Sequence, residues 1–134
     1  LQLAGAEPPW APAPILTAIT AMLAAEPDLA NGGIDQLVWN TGPGMAREFA
    51  AAWRAVGAIE NAELLVELAH AYEQFTSEQG TEQIAADPVR AFFQFRKRVG
   101  GPWLASPDPH AELGEALLEW SLEHPNAFRQ PADA

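Results

Sequence analysis

The sequence predicts an all-α fold, a compact single-domain bundle of about five or six helices. Three observations predict it. Apolar residues recur at spacings of three and four along most of the chain. No stretch of any length alternates apolar and polar residues as a half-buried strand would. Proline and glycine fall between the periodic segments, where helices start and stop. A chain of 134 residues is most simply one domain. Such a chain buries roughly 68–70% of its extended surface, enough for a core without a metal or disulfide. With no cysteine, disulfide, iron–sulfur and thiolate–zinc chemistry are excluded.

The elements follow in order. Pro8, Pro9, Pro12 and Pro14 make residues 1–14 an extended, Pro-rich segment. The domain itself is expected over 15–128, with a tail at 129–134. The first helix, 15–26, carries Ile15, Leu16, Ile19, Met22 and Leu23 on one face, and Pro27 should end or bend it. After Asn-Gly-Gly, a two-turn helix holds Ile34, Leu37 and Val38. Gly42-Pro43-Gly44 breaks it, and Pro43 suits a first helical position. Met45 to Val56 forms the next helix, buried through Phe49, Ala52, Trp53 and Val56, with Gly57 as its stop. Asn61 is the expected N-cap of a helix lined by Leu64, Leu65, Leu68, Tyr72 and Phe75. Residues 76–86 read as a polar loop with about one helical turn. Asp87-Pro88 opens a helix that ends at Gly100-Gly101-Pro102, and "SPDPH" opens the last one, which stops at His124-Pro125. Trp10, Trp39, Trp53, Trp103 and Trp120 are core candidates, with Trp10 and Trp103 in Pro-rich loops.

The charge is strongly acidic: 18 Asp and Glu against seven Lys and Arg, net −11. Such a field repels nucleic acid and anionic membranes and attracts basic partners. A basic island, Arg90, Arg96, Lys97 and Arg98, interrupts the acid. Its cations suit the C-terminal end of a helix dipole and stand ready to pair with neighbouring acids. No apolar run approaches the ~18 residues of a membrane span, and the N-terminal residues lack the basic and apolar regions of a signal peptide. A cytoplasmic home is therefore expected. The 27 alanines and single lysine point to a GC-rich bacterial genome.

The stretch "NGGIDQLVWNTGPG" gathers Asn31, Gly32, Gly33, Gln36 and Asn40 around a short apolar run. Glycines permit a tight reversal, and Asn31 suits either a left-handed position or a cap. Gln36 and Asn40, four apart, share a helix face. Amides both donate and accept, so this pair can satisfy the polar groups that helix ends leave open. The expected role is a structural clasp. The alternative is a ligand pocket beside Trp39.

This motif, followed by "AREFAAAWRAVGAIENAELLVELA", resembles the signature of a small acidic helical family. Its characterised member is described as a double-stranded-DNA mimic. The match is close over about 15–75 and general over 88–124. It departs from the family pattern at Leu37-Val38-Trp39, where a more aromatic run is usual. The resemblance implies a non-enzymatic protein that covers the basic DNA-binding site of a partner.

A DNA mimic needs rigid carboxylates at phosphate-like spacing. Glu60, Glu63 and Glu67 lie three and four apart, with neighbours ~5–6 Å from each other. Glu112, Glu115, Glu119 and Glu123 form a second row roughly 16 Å long. Leu113, Leu117 and Trp120 occupy the opposite side of that helix. These seven glutamates are the candidate partner-binding residues. The partner is expected to be a basic protein, DNA-binding in the mimic reading. The alternatives are an immunity-type neutraliser of a basic toxin and a small-ligand module at Asn31, Gln36 and Trp39. The plainer explanation is that glutamate is a good helix former on a solvated face.

Catalysis has no signature here. Glu67 and His70 make one E-x-x-H, whereas a di-iron bundle needs two copies and two more glutamates. No P-loop, dinucleotide fingerprint, G-x-S-x-G or H-E-x-x-H occurs. Neither cofactor nor metal, nor direct nucleic-acid binding, is expected.

Overall fold

The computed structural model describes residues 20, 23–25, 27–30, 32–100 and 108–125. Every regular element among them is helical. Helical residues at 20, 23–25 and 27–30 come first. Six helices follow: α1 (Ile34–Thr41), α2 (Pro43–Ala55), α3 (Ile59–Gln79), α4 (Thr81–Ala86), α5 (Pro88–Val99) and α6 (Pro109–Glu123). Among the described residues these six helices, with the helical residues that precede them, already exceed the expected five or six. One reason lies at 76–86, read from its polarity as loop with about one helical turn. There α3 continues to Gln79, Gly80 turns the chain at φ 84°, and α4 forms a separate helix.

Local chemistry accounts for most of the boundaries. Gly42 closes α1 and opens α2 at φ 86°, with proline next to it in the first turn of α2. Asp87 caps α5 by accepting from the Arg90 amide, and Asp108 caps α6 by accepting from the amides of His110 and Ala111. Gly100 ends α5 in the left-handed region.

One expectation about register needs correction. Leu23 was placed on an inner face, yet it is exposed, while Ala25 is buried and Leu29 half-buried. The inward stripe therefore runs through Ala25 and Leu29. Residues 27–30 are helical, and Glu26, the position of the expected end or bend before Pro27, lies outside the described residues. Ile15, Leu16, Ile19 and Met22, and the limits set at 14 and 128, lie outside the described residues, as do Trp10 and Trp103.

The main core joins α1, α2, α3 and α6 through Ile34, Leu37, Trp53, Leu65 and Leu113. The α2–α3 pair packs most extensively. A second, aromatic cluster ties α5 to α1 and α3. Trp39 sits at its centre, with ring centroids of Tyr72, Phe75, Phe92 and Phe95 at 5.6, 6.0, 5.6 and 5.5 Å. Tilted and edge-on aromatic pairs of this kind add specificity to apolar burial.

Candidate functional site

The described part of the motif, residues 32–40, builds a clasp whose hub is Asp28. Its backbone carbonyl accepts from the amides of Gly32 and Gly33, at 2.9 and 3.1 Å. One carboxylate oxygen accepts from Asn40 Nδ2 at 2.7 Å and from Gln36 Nε2 at 3.4 Å. Both amides thus reach back over the turn that precedes their helix. Gly32 is buried beneath them. A Cβ there would overlap Gln36 Oε1 and lie 2.6 Å from Gln36 Cδ and 2.7 Å from Arg96 Nη2. Gly33 is the N-cap of α1 at φ 91° and offers no side-chain cap. The capping role considered for Asn31 therefore falls to a glycine, and Asn31 itself lies outside the described residues.

A buried ion pair completes the clasp. Asp35 is fully buried on the inward side of α1. It accepts from Arg96 Nε at 2.9 Å, from Arg96 Nη2 at 3.4 Å and from the Gln36 amide at 2.9 Å. Arg96 Nη2 also donates to the Gly32 carbonyl at 2.6 Å. The guanidinium lies over the Phe92 ring, 4.6 Å from its centroid. A buried charge persists only when paired and hydrogen-bonded, and Asp35 meets both conditions. Asp28, Asp35 and Arg96 were missing from the clasp as read from sequence. The available signal was an aspartate among the core positions Ile34, Leu37 and Val38.

The seven candidate glutamates divide. Glu60, Glu63, Glu67, Glu115, Glu119 and Glu123 are exposed. None makes a salt bridge to a described residue. Glu112 behaves otherwise. Its Oε1 accepts from the Asn61 amide and from Asn61 Nδ2, both at 2.9 Å, and its Oε2 accepts from the Glu60 amide at 3.0 Å. It caps the first turn of α3 from another helix. Asn61, the expected N-cap of α3, is instead the third residue of that helix; Ala58 holds the cap position without a side-chain bond. A helix N-terminus carries open amides and partial positive charge, so a carboxylate brought to it is stabilised. The two acidic rows therefore meet at Glu60 and Glu112, and Glu112 belongs to the architecture.

A model of the DMP19-like protein family matches residues 13–124. The chain belongs to the DMP19-like family. The matched span runs from before α1 to the end of α6 and takes in both the clasp and the acidic rows. It extends well past residue 75, where the close motif resemblance ends. No curated protein and no solved structure matches the chain.

In this DMP19-like chain the basic island does not neutralise the rows. Arg96 is spent on Asp35, and Arg98 Nη2 lies 2.6 Å from Glu78. The third described ion pair joins Arg47 to Glu73 through two bonds of 2.6 and 3.0 Å. That hydrogen-bonded guanidinium holds the Glu73 carboxyl below its ordinary value, and Glu73 in turn raises Arg47. At the Asn31, Gln36 and Trp39 position, Gln36 is bonded within the clasp and Trp39 within the aromatic cluster. A cavity of about 180 Å³ lies elsewhere, between Gln79, Gln83, Ile84, Asp87, Arg90 and Gln94. Among the described residues no cluster of three or more His, Asp or Glu could hold a metal, and no helix is long and apolar enough to cross a membrane.

Proposed function

We propose that the outward faces of α3 and α6 form a protein-binding surface that competes with DNA for a basic site on a partner protein, without catalysis. One observation carries this reading. Six glutamates of the two rows are exposed and make no salt bridge to a described residue, while the three described ion pairs all use other acids. Carboxylates left solvated on firm helices can displace phosphates from Lys and Arg at little reorganisation cost. The resemblance to a family with a double-stranded-DNA mimic supports the same reading. Like charges four apart, at Glu63–Glu67, Glu115–Glu119 and Glu119–Glu123, also work against helix stability by a few tenths of a kcal/mol each.

The test is affinity capture from the source cell on immobilised protein, with elution by duplex DNA or by salt. The comparison protein carries Glu115→Lys, Glu119→Lys and Glu123→Lys. Glu112 is left intact because its loss would disturb α3. The expected result is a DNA-binding protein, released by duplex DNA and absent from the reversed variant. Capture unchanged by the reversal, or a partner indifferent to DNA, would overturn the proposal.

A further inference from the structure

The acidic rows are not purely polar. On α6, Glu115, Leu118, Glu119 and Leu122 fall at i, i+3, i+4 and i+7, the spacing of one helix face. Leu118 is 61% exposed and Leu122 73%. The core side of the same helix is already supplied by Leu113 and Ala116. The two leucines therefore point away from the core, between the glutamates. Their flank is open, because a Cβ at Gly114 would meet nothing within 4 Å. The same layout recurs on α3, where Ile59 is 39% exposed and Val66 42% beside Glu60, Glu63 and Glu67.

An exposed leucine pair four apart is a hydrophobic contact surface, and flanking carboxylates select what covers it. A phosphate-like row meant for a polar groove gains nothing from leucine. We propose that the α6 face receives a basic amphipathic helix of the partner, whose apolar stripe covers Leu118 and Leu122 while its Lys or Arg residues meet Glu115 and Glu119. This inference rests on the acidic-surface reading above and names the chemistry of the partner element. It is the helix-on-helix mode of recognition, with anchors at i, i+3, i+4 and i+7.

The test uses two labelled synthetic peptides of about 18 residues, long enough for a helix to form on contact. One has leucine at i, i+3, i+4 and i+7 positions and lysine elsewhere; in the other, serine replaces every leucine. Binding is read by fluorescence anisotropy at physiological salt. The full chain should prefer the leucine peptide by about tenfold or more, a difference of ~1.4 kcal/mol. Leu118→Ser with Leu122→Ser should abolish that preference while leaving the serine peptide's affinity unchanged. Glu115→Gln with Glu119→Gln should weaken both peptides. Circular dichroism and the urea midpoint of each variant establish that it is folded. Equal affinity of the full chain for both peptides would overturn the inference, as would a preference that survives the leucine substitutions. The two readings fail separately. Loss of the leucine preference with DNA-competed capture intact removes only the amphipathic helix. A leucine preference with capture indifferent to DNA removes only the DNA competition.

Discussion

Carboxylates in the clasp and carboxylates on the α3 and α6 faces are the same chemical group put to opposite uses. Asp28 and Asp35 accept from Gln36, Asn40 and Arg96, side chains brought to them by the fold. Glu63, Glu67, Glu115, Glu119 and Glu123 remain in water without a cationic partner among the described residues. The difference teaches that acidity by itself says little. Burial and the partner decide whether an acid holds a structure together or waits for another molecule. Glu112 makes the point within one helix. It stands in periodic register with Glu115, Glu119 and Glu123, yet it caps α3.

The largest effect should come from stripping the buried pair. Arg96→Met leaves Asp35 charged and unpaired in the core, which should lower stability by about 3–5 kcal/mol. Adding Asp35→Asn should restore much of that loss, because no buried charge then remains. Urea unfolding of both variants checks this; a double variant as unstable as Arg96→Met would show that the charge is not the cause. Gly32→Ala comes next. Its Cβ collides with the ends of Gln36 and Arg96, and those ends are held by Asp28 and Asp35. The expected loss is about 1–3 kcal/mol, the scale of a disrupted buried hydrogen bond. Thermal unfolding measures it, and Gln36→Ala in the same chain should recover part of it by making room.

The smallest effect belongs to the exposed Arg47–Glu73 pair. The folded carboxyl titrates below its ordinary value. Its contribution is therefore complete above the unfolded glutamate range near ~4.3 and is lost as the pH falls through the lower folded value. The stability difference between the protein and Glu73→Gln should be flat at neutral pH and shrink in acid. A difference that grows in acid would contradict the assigned direction.

Much of the fold was legible because its causes are local. Asp87-Pro88 and the "SPDPH" segment announce α5 and α6, and Gly42-Pro43-Gly44 divides α1 from α2. The shared face of Gln36 and Asn40 was legible for the same reason: four residues make one turn. Other features depend on distant residues. Asp35 and Arg96 are 61 positions apart, so the spacing of neither reveals the other. Asn61 looked like a cap because the competing carboxylate comes from Glu112, 51 residues on. The inward register through Ala25 rather than Leu23 is set by packing, and a short apolar segment fits more than one rotation. The exposed Leu118 and Leu122 were hidden by a helix that is apolar on two sides, so periodicity marked only the side with Leu113, Leu117 and Trp120.

The division of labour within α6 can be measured without any partner. Urea midpoints are compared for Glu112→Ala and for the triple variant Glu115→Gln, Glu119→Gln, Glu123→Gln. Loss of the cap should destabilise the protein by about 1–2 kcal/mol, while removal of three exposed, mutually repelling charges should leave the midpoint unchanged or slightly raised. A triple variant destabilised as much as Glu112→Ala would mean that the outward glutamates hold the fold together and are not free to meet a partner.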